Sequence, residues 1–237
     1  SGSGALGGSI LINNKPDWTD RLSVRYVQTL ESFSTAKEYL NIGFGNGHVQ
    51  LKTRLFSDQS KNDFPYFNYG VLPMHESVQK NAGYEKMGVL QDVYYRLREH
   101  TFSAKFWAYK SDRDLPQLMS FEGDVRKETQ NDRNIRVVGS WKYLIEKGKL
   151  ELVVGMNRNE LNYFRSSTEA NFVNFDSRSK EQSYTGNLNF DWKPKENLSL
   201  DWSIGSGFHQ VSVFDQAQKI GYDQDRLEFS LLNAIHF

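Results

Sequence analysis

The chain has 237 residues, with 29 Lys+Arg balanced by 29 Asp+Glu, 5 His and no Cys. Zero net charge gives no electrostatic reason for nucleic acid as a partner, and the lack of Cys excludes a disulfide framework, a thiolate zinc site and a catalytic thiol. Mean hydropathy is -0.65, and no run approaches the roughly 18 apolar residues of a membrane-spanning helix, yet 14% of residues are aromatic. Low hydropathy with many rings suits a β protein whose strands are apolar on one face only.

In chain order, Gly-rich residues first run into a short apolar stretch, Ile10-Leu11-Ile12. From Trp18 onward the dominant periodicity is two, the signature of a strand. Weak alternation predicts strands near 21–31, 37–45, 48–57, 84–97 and 101–110. A clearer segment has Ile135, Val137, Gly139, Trp141, Tyr143 and Ile145 opposite Arg136, Val138, Ser140 and Lys142. After a weaker strand near 149–160, the clearest pattern sets Tyr184, Gly186, Leu188, Phe190 and Trp192 against Thr185, Asn187, Asn189, Asp191 and Lys193. Leu198, Leu200, Trp202, Ile204 and Phe208 then oppose Ser199, Asp201, Ser203, Gly205 and His209, and Leu227, Phe229, Leu231, Ile235 and Phe237 oppose Arg226, Glu228, Ser230 and His236. The total is about ten strands, each near the roughly 9–11 residues that cross a bilayer when tilted.

The joins alternate in length. Short ones are expected at 45–47, 98–100, 146–148 and 194–197, long ones at 58–83, 111–133, 161–183 and 215–225, with a shorter join near 32–36. Short turns at one end and long loops at the other describe an outer-membrane barrel. Pro16, Pro65, Pro73, Pro116 and Pro194 all fall in joins on this reading, where no ladder donor is lost. Period two alone does not separate a barrel in lipid from a soluble β-sandwich. Two features favour the barrel: a polar face of neutral and mixed-charge residues, and Trp141, Tyr143, Tyr184, Trp192 and Trp202 near strand ends on the apolar face, where headgroup-level girdles form.

Signatures of chemistry are sparse. Gly205-Ser206-Gly207 lacks the flanks of a nucleophile elbow, and no phosphate loop or dinucleotide fingerprint occurs. His48, His75, His100, His209 and His236 are scattered without metal-ligand spacing. Asp112 with Asp114, and Asp223 with Asp225, offer hard oxygens of the calcium-binding type, but a solvated loop is the plainer reading. The stretch 111–133, with six acids against four bases, reads as a mixed solvated loop. No cofactor is expected. The join Asp63-Phe-Pro-Tyr-Phe-Asn-Tyr69 crowds four rings into a polar connector. They pack on one another, or Tyr66, Phe67 and Tyr69 form a stacking surface for an organic ligand.

Gly2-Ser-Gly-Ala-Leu-Gly-Gly-Ser-Ile-Leu-Ile-Asn-Asn-Lys15 resembles the plug-to-barrel junction of TonB-dependent outer-membrane receptors, with Asn14 where the family usually has Thr. The resemblance implies that 1–15 are the end of a plug domain and 16–237 the first ten or so strands of a roughly 22-stranded plugged barrel. It implies an all-β, antiparallel transmembrane portion of a receptor in the cell outer membrane, with lipid around it and its long joins outside. The complete protein would bind a scarce nutrient (a siderophore, haem, cobalamin or an oligosaccharide) and move its plug through the TonB complex, engaged by an N-terminal part beyond this chain. The resemblance implies binding and gating rather than an enzyme. Arg136, Lys142, Asp191 and Asp201 would face the lumen and line the plug interface. Two rivals remain: a complete ten-stranded outer-membrane enzyme, with Asp112, Asp114, Asp215 and His75 as loose catalytic candidates, and a soluble β-sandwich binding module.

Overall fold

A computed structural model describes residues 16, 18, 21–116, 126–167 and 174–236. The segment 1–15, expected as the plug remnant, lies outside the described residues. Twelve strands form: β1 (Arg21–Glu31), β2 (Thr35–Gly45), β3 (Val49–Ser60), β4 (Pro65–Asn68), β5 (His75–Val78), β6 (Tyr84–Leu97), β7 (His100–Asp114), β8 (Arg126–Ile145), β9 (Gly148–Ser167), β10 (Phe175–Lys195), β11 (Leu198–Asp215) and β12 (Ile220–His236). Ten of them make one antiparallel sheet in the order β1-β2-β3-β6-β7-β8-β9-β10-β11-β12, and β4 and β5 pair as a separate hairpin. β1 and β12 each have a neighbour on one side only, so the sheet is open.

Register shows how the two faces are built. Because directly paired residues share a face, Phe102, Trp141, Leu152, Leu188, Ile204 and Leu231 form one continuous row across β7 to β12. Phe106, Val137, Met156, Tyr184, Phe208 and Leu227 form another, four residues along each strand. Among the described residues no second sheet covers these rows. Leu22, Val24, Ile204, Phe229 and Leu231 are among many large apolar side chains exposed on this face, and the buried apolar residues among those described are Ala82 and Tyr94 alone. The buried polar side chains include Gln50, Ser60, Asp92, Ser111 and Ser183, all in the opposite register. Polar groups in and apolar groups out is the reverse of a soluble sandwich, whose apolar face packs on a second layer. That alternative is therefore set aside.

Strand length corrects the expectation from sequence. β8, β9 and β10 have 20, 20 and 21 residues and β11 has 18, well beyond a bilayer crossing. The apolar stripe on them is shorter: Ile135–Tyr143, Tyr184–Trp192 and Leu200–Phe208 each cover nine residues. Nine residues at ~3.3 Å, tilted by ~40°, cross about 23 Å, close to the height of a barrel's apolar band. Beyond it the same face turns polar within two rows. The first is Ala108, Ile135, Arg158, Gln182, Gln210 and Asp225; the second is Lys110, Arg133, Glu160, Lys180, Ser212 and Asp223. Most of the predicted loops 111–133, 161–183 and 215–225 are thus strand that continues past the band. Asp112, Asp114, Asp223 and Asp225 sit on β7 and β12 rather than in loops, and the join 58–83 contains the β4–β5 hairpin.

The connections at the other end, the turn end, are all short, at 46–48, 98–99, 146–147 and 196–197, but the loop end also has short joins at 32–34 and 216–219, the latter within the stretch 215–225 expected to be long. Asn46 shapes the β2–β3 turn, its side-chain oxygen accepting from the backbone N–H groups of His48 (2.8 Å) and Val49 (2.7 Å). Asn46→Ala removes both bonds, and a loss of about 1 kcal/mol in unfolding free energy is expected, measurable as a shift of the denaturation midpoint. Pro194 lies inside β10, not in a join, but where the chain tolerates it. The pairing steps from Trp192↔Leu200 to Lys195↔Leu198, one extra residue on β10, so the proline occupies a bulge where its missing donor costs nothing.

Candidate functional site

At the turn end the apolar face carries a sheet of rings. His100 stacks on Tyr143 with centroids 4.5 Å apart and on Trp141 at 6.0 Å, and Trp141 Nε1 donates to His100 Nδ1 at 3.1 Å. Tyr95 and Phe102 continue the row at 6.3 Å, and Phe190 stacks on Trp202 at 5.5 Å. Trp141, Tyr143, Tyr184, Trp192 and Trp202, the expected girdle, all lie on the apolar face. Apart from Tyr184, which lies at the opposite end of its nine-residue stripe, these amphipathic rings gather toward the turn-end margin of the apolar band and match a membrane–water boundary.

The opposite, polar face has a less expected feature. Tyr39, Phe56 and Tyr109 stack in a line, with centroids 6.4 and 6.1 Å apart, across β2, β3, β6 and β7. The strand between the last two rings contributes Gly88, paired to both Phe56 and Tyr109. A Cβ there would stand 2.5 and 2.7 Å from ring carbons of Phe56 and 3.1 Å from the Ala108 carbonyl oxygen. The glycine leaves the gap into which the Phe56 ring lies. This strip was missed in the sequence, although its signal is present: Phe56 and Tyr109 sit out of phase with the apolar alternation of their strands.

Charge on the polar face is divided. On β1, β2, β3, β6 and β7 the register places Arg21, Arg25, Lys37, Lys52, Arg54, Lys86, Arg96, Lys105 and Arg113 there against Glu31, Asp58 and Asp92. On β11 and β12, and on β10 up to its bulge, Glu181, Asp191, Asp201, Asp215 and Glu228 face Arg226 alone among Lys and Arg. Arg136, Lys142, Asp191 and Asp201 do lie on this face, as expected from alternation. Arg136 is occupied within the sheet, donating to Asn157 Oδ1 at 3.0 Å and resting over the Trp107 ring at 5.5 Å. Asp191 takes Lys149 at 2.7 Å, and Asp201 takes His236 at 3.3 Å. The chain N-terminal to β1 touches the same face: the Arg96 guanidinium sits 4.7 Å from the Trp18 ring, and both Pro16 and Trp18 line a cavity with Lys105, Lys142 and Lys149.

The aromatic join resolves into two groups. Tyr66 belongs with Phe64 (6.5 Å), which packs edge-on against Phe33 (5.9 Å). Phe67 and Tyr69 pair with each other at 4.9 Å and are exposed, Tyr69 by 77%. Period two in β4 explains the split, sending Tyr66 one way and Phe67 and Tyr69 the other. The loose catalytic candidates do not converge. Asp112 binds Lys110 and Asn131; Asp215, four strands from Asp112 in the sheet, accepts from the backbone N–H of Gln218 in the adjoining turn; and the His75 ring meets the Pro73 carbonyl oxygen. No three His, Asp or Glu side chains gather into a metal site among the described residues.

Comparison with solved structures follows this geometry. The chain superposes on the ferric yersiniabactin uptake receptor FyuA from Yersinia pestis with a TM-score of 0.51 at 8% identity, over 90% of this chain and 38% of that one. The likeness shows the fold, an open section of antiparallel β-barrel. The unliganded ferric citrate transporter FecA (TM-score 0.49, 10% identity, 90% of this chain and 38% of that) and the copper transporter OprC (0.41, 13%, 95% and 44%) also match. The chain spans less than half the length of each of these three. No family model and no curated protein sequence matches it.

Proposed function

We propose that this chain is part of the wall of a TonB-dependent outer-membrane receptor that takes up a scarce nutrient, with 1–15 ending its plug and 16–237 beginning its barrel. The observation that carries this reading is the inverted sheet: an exposed apolar face nine residues deep, and a charged face touched by the residues just before β1. A structure of this kind is stable where hydrocarbon covers the apolar face and a wet, plug-filled interior covers the other. The work is binding and gating rather than covalent chemistry. Uptake of a ferric siderophore, haem, cobalamin or an oligosaccharide fits equally well.

In cells limited for each nutrient class in turn, deleting the gene that encodes the complete receptor is expected to abolish accumulation of one labelled ligand. Inactivating the TonB complex should do the same. Undiminished uptake of all four classes in the deletion strain would refute the reading. Within the receptor, replacing Tyr66, Phe67 and Tyr69 by Ala is expected to weaken ligand binding severalfold, with the exposed Phe67–Tyr69 pair accounting for most of the loss. Unchanged affinity at normal surface expression removes that loop from the site.

A further inference from the structure

The apolar face carries a dent below its polar margin. In the row Leu55, Val89, Ala108, Ile135 the short Ala108 side chain lies between larger neighbours, and Met87 closes the dent from the next row. Lys110 and Arg133, a directly paired couple on β7 and β8, stand over it on the loop-end side. Arg133 is exposed. Lys110 is held upright by an ion pair with Asp112, which also accepts from Asn131 Nδ2 at 2.6 Å. Burial opposes charge on Asp112, but the hydrogen bonds from Lys110 and Asn131 outweigh it and hold its carboxyl below the usual range. The acid therefore stays ionised and keeps Lys110 in place. Glu160 opposes Arg133 on β9, but its carboxylate is taken by Arg158; the exposed Arg133 adds its positive charge to the field of Lys110 on Asp112.

An apolar dent beneath two cations, at the depth where the sheet passes from hydrocarbon to headgroups, is complementary to one class of molecule. We propose that it binds an acylated, phosphate-bearing lipid of the adjoining leaflet, with acyl chains over Ala108 and the phosphate on Arg133 and Lys110. Guanidinium and ammonium groups at this level combine charge attraction with hydrogen bonding to phosphate. Acyl methylenes in the dent add burial that a free phosphate does not have. The inference rests on the membrane reading of the sheet, not on the identity of any nutrient.

The test uses the complete receptor in detergent micelles, with diphosphorylated lipid A as the probe and affinity as the readout. The pair Lys110→Gln with Arg133→Gln is expected to weaken binding about tenfold or more, and Ala108→Phe, which fills the dent without touching charge, severalfold. Lys86→Gln with Lys105→Gln, equal in charge lost but on the polar face, is expected to leave affinity unchanged. Unchanged binding in either apolar-face variant overturns the proposal, as does equal loss in the polar-face control. Displacement by millimolar inorganic phosphate also overturns it, since that marks a simple anion site. Lipid binding and nutrient uptake by the unsubstituted receptor are scored in parallel. Uptake without lipid binding defeats this inference alone, and lipid binding without uptake defeats the transport reading alone.

Discussion

Leu188→Arg is expected to destabilise the bilayer-embedded receptor by about 2–4 kcal/mol, whereas Asn187→Arg, one residue away, is expected to cost less than about 0.5 kcal/mol. Leu188 sits mid-band on the apolar face in the row with Leu152 and Ile204. An arginine there must cross hydrocarbon or drag water inward, and the cost is greatest near the midplane. Asn187 points to the opposite face and is exposed, so a guanidinium there stays hydrated. Equilibrium unfolding from phospholipid bilayers measures both. Equal costs for the two variants would mean that the faces are not lipid and water, and the receptor reading would fall with them. The pair discriminates because neither substitution changes strand propensity by much relative to the other, while their surroundings differ completely.

The second large effect is at Gly88. Its replacement by Val is expected to cost about 1–3 kcal/mol, because branched carbons would occupy the space of the Phe56 ring and crowd the Ala108 carbonyl. Relief should come from the partner: in a Phe56→Ala background, Gly88→Val is expected to cost much less, and the double-mutant cycle should return a coupling of about 0.5–3 kcal/mol. If the two substitutions are additive, the Tyr39–Phe56–Tyr109 stack is not held by that gap. The same variants report on function. A ligand descending along the polar face would pass over the stack, flanked by the cations of β2, β3, β6 and β7, and disturbing Phe56 should lower affinity even where the protein remains folded. Nothing comparable is expected from the girdle rings at the turn end, which face the other way.

How far the sequence could be read follows from contrast between faces. Within the band, Leu188 beside Asn187 and Ile204 beside Ser203 differ sharply in hydropathy, so alternation is visible and the strands there were placed correctly, β1 and β6 to their limits. Above the band the contrast is lost. Ser111, Asp112 and Arg113 on β7, or Lys180, Glu181 and Gln182 on β10, are polar on both faces. Period two in geometry continues there without period two in chemistry, so the sequence reads these strand ends as loops. Pro194 was misplaced for a related reason: a bulge depends on the register of the partner strand, which one strand's residues do not reveal. The candidate ligand rings were legible as a cluster of Tyr and Phe. Their division, Tyr66 inward with Phe64 and Phe67 outward with Tyr69, depended on the hairpin that the join forms.

By itself, the order of residues determined sidedness: each strand carries its own apolar and polar faces, since successive side chains must point opposite ways. It also determined that no thiol of this chain takes part, since the sequence has no Cys. Only the tertiary structure decided how long the strands are, which rings meet across them, and where cations gather. Those properties arise from backbone pairing between segments far apart in the chain. Phe56 needs Gly88 across the ladder to lie flat, and Lys110 needs Arg133 beside it to become a site; register between strands, not the content of any one of them, brings each pair together.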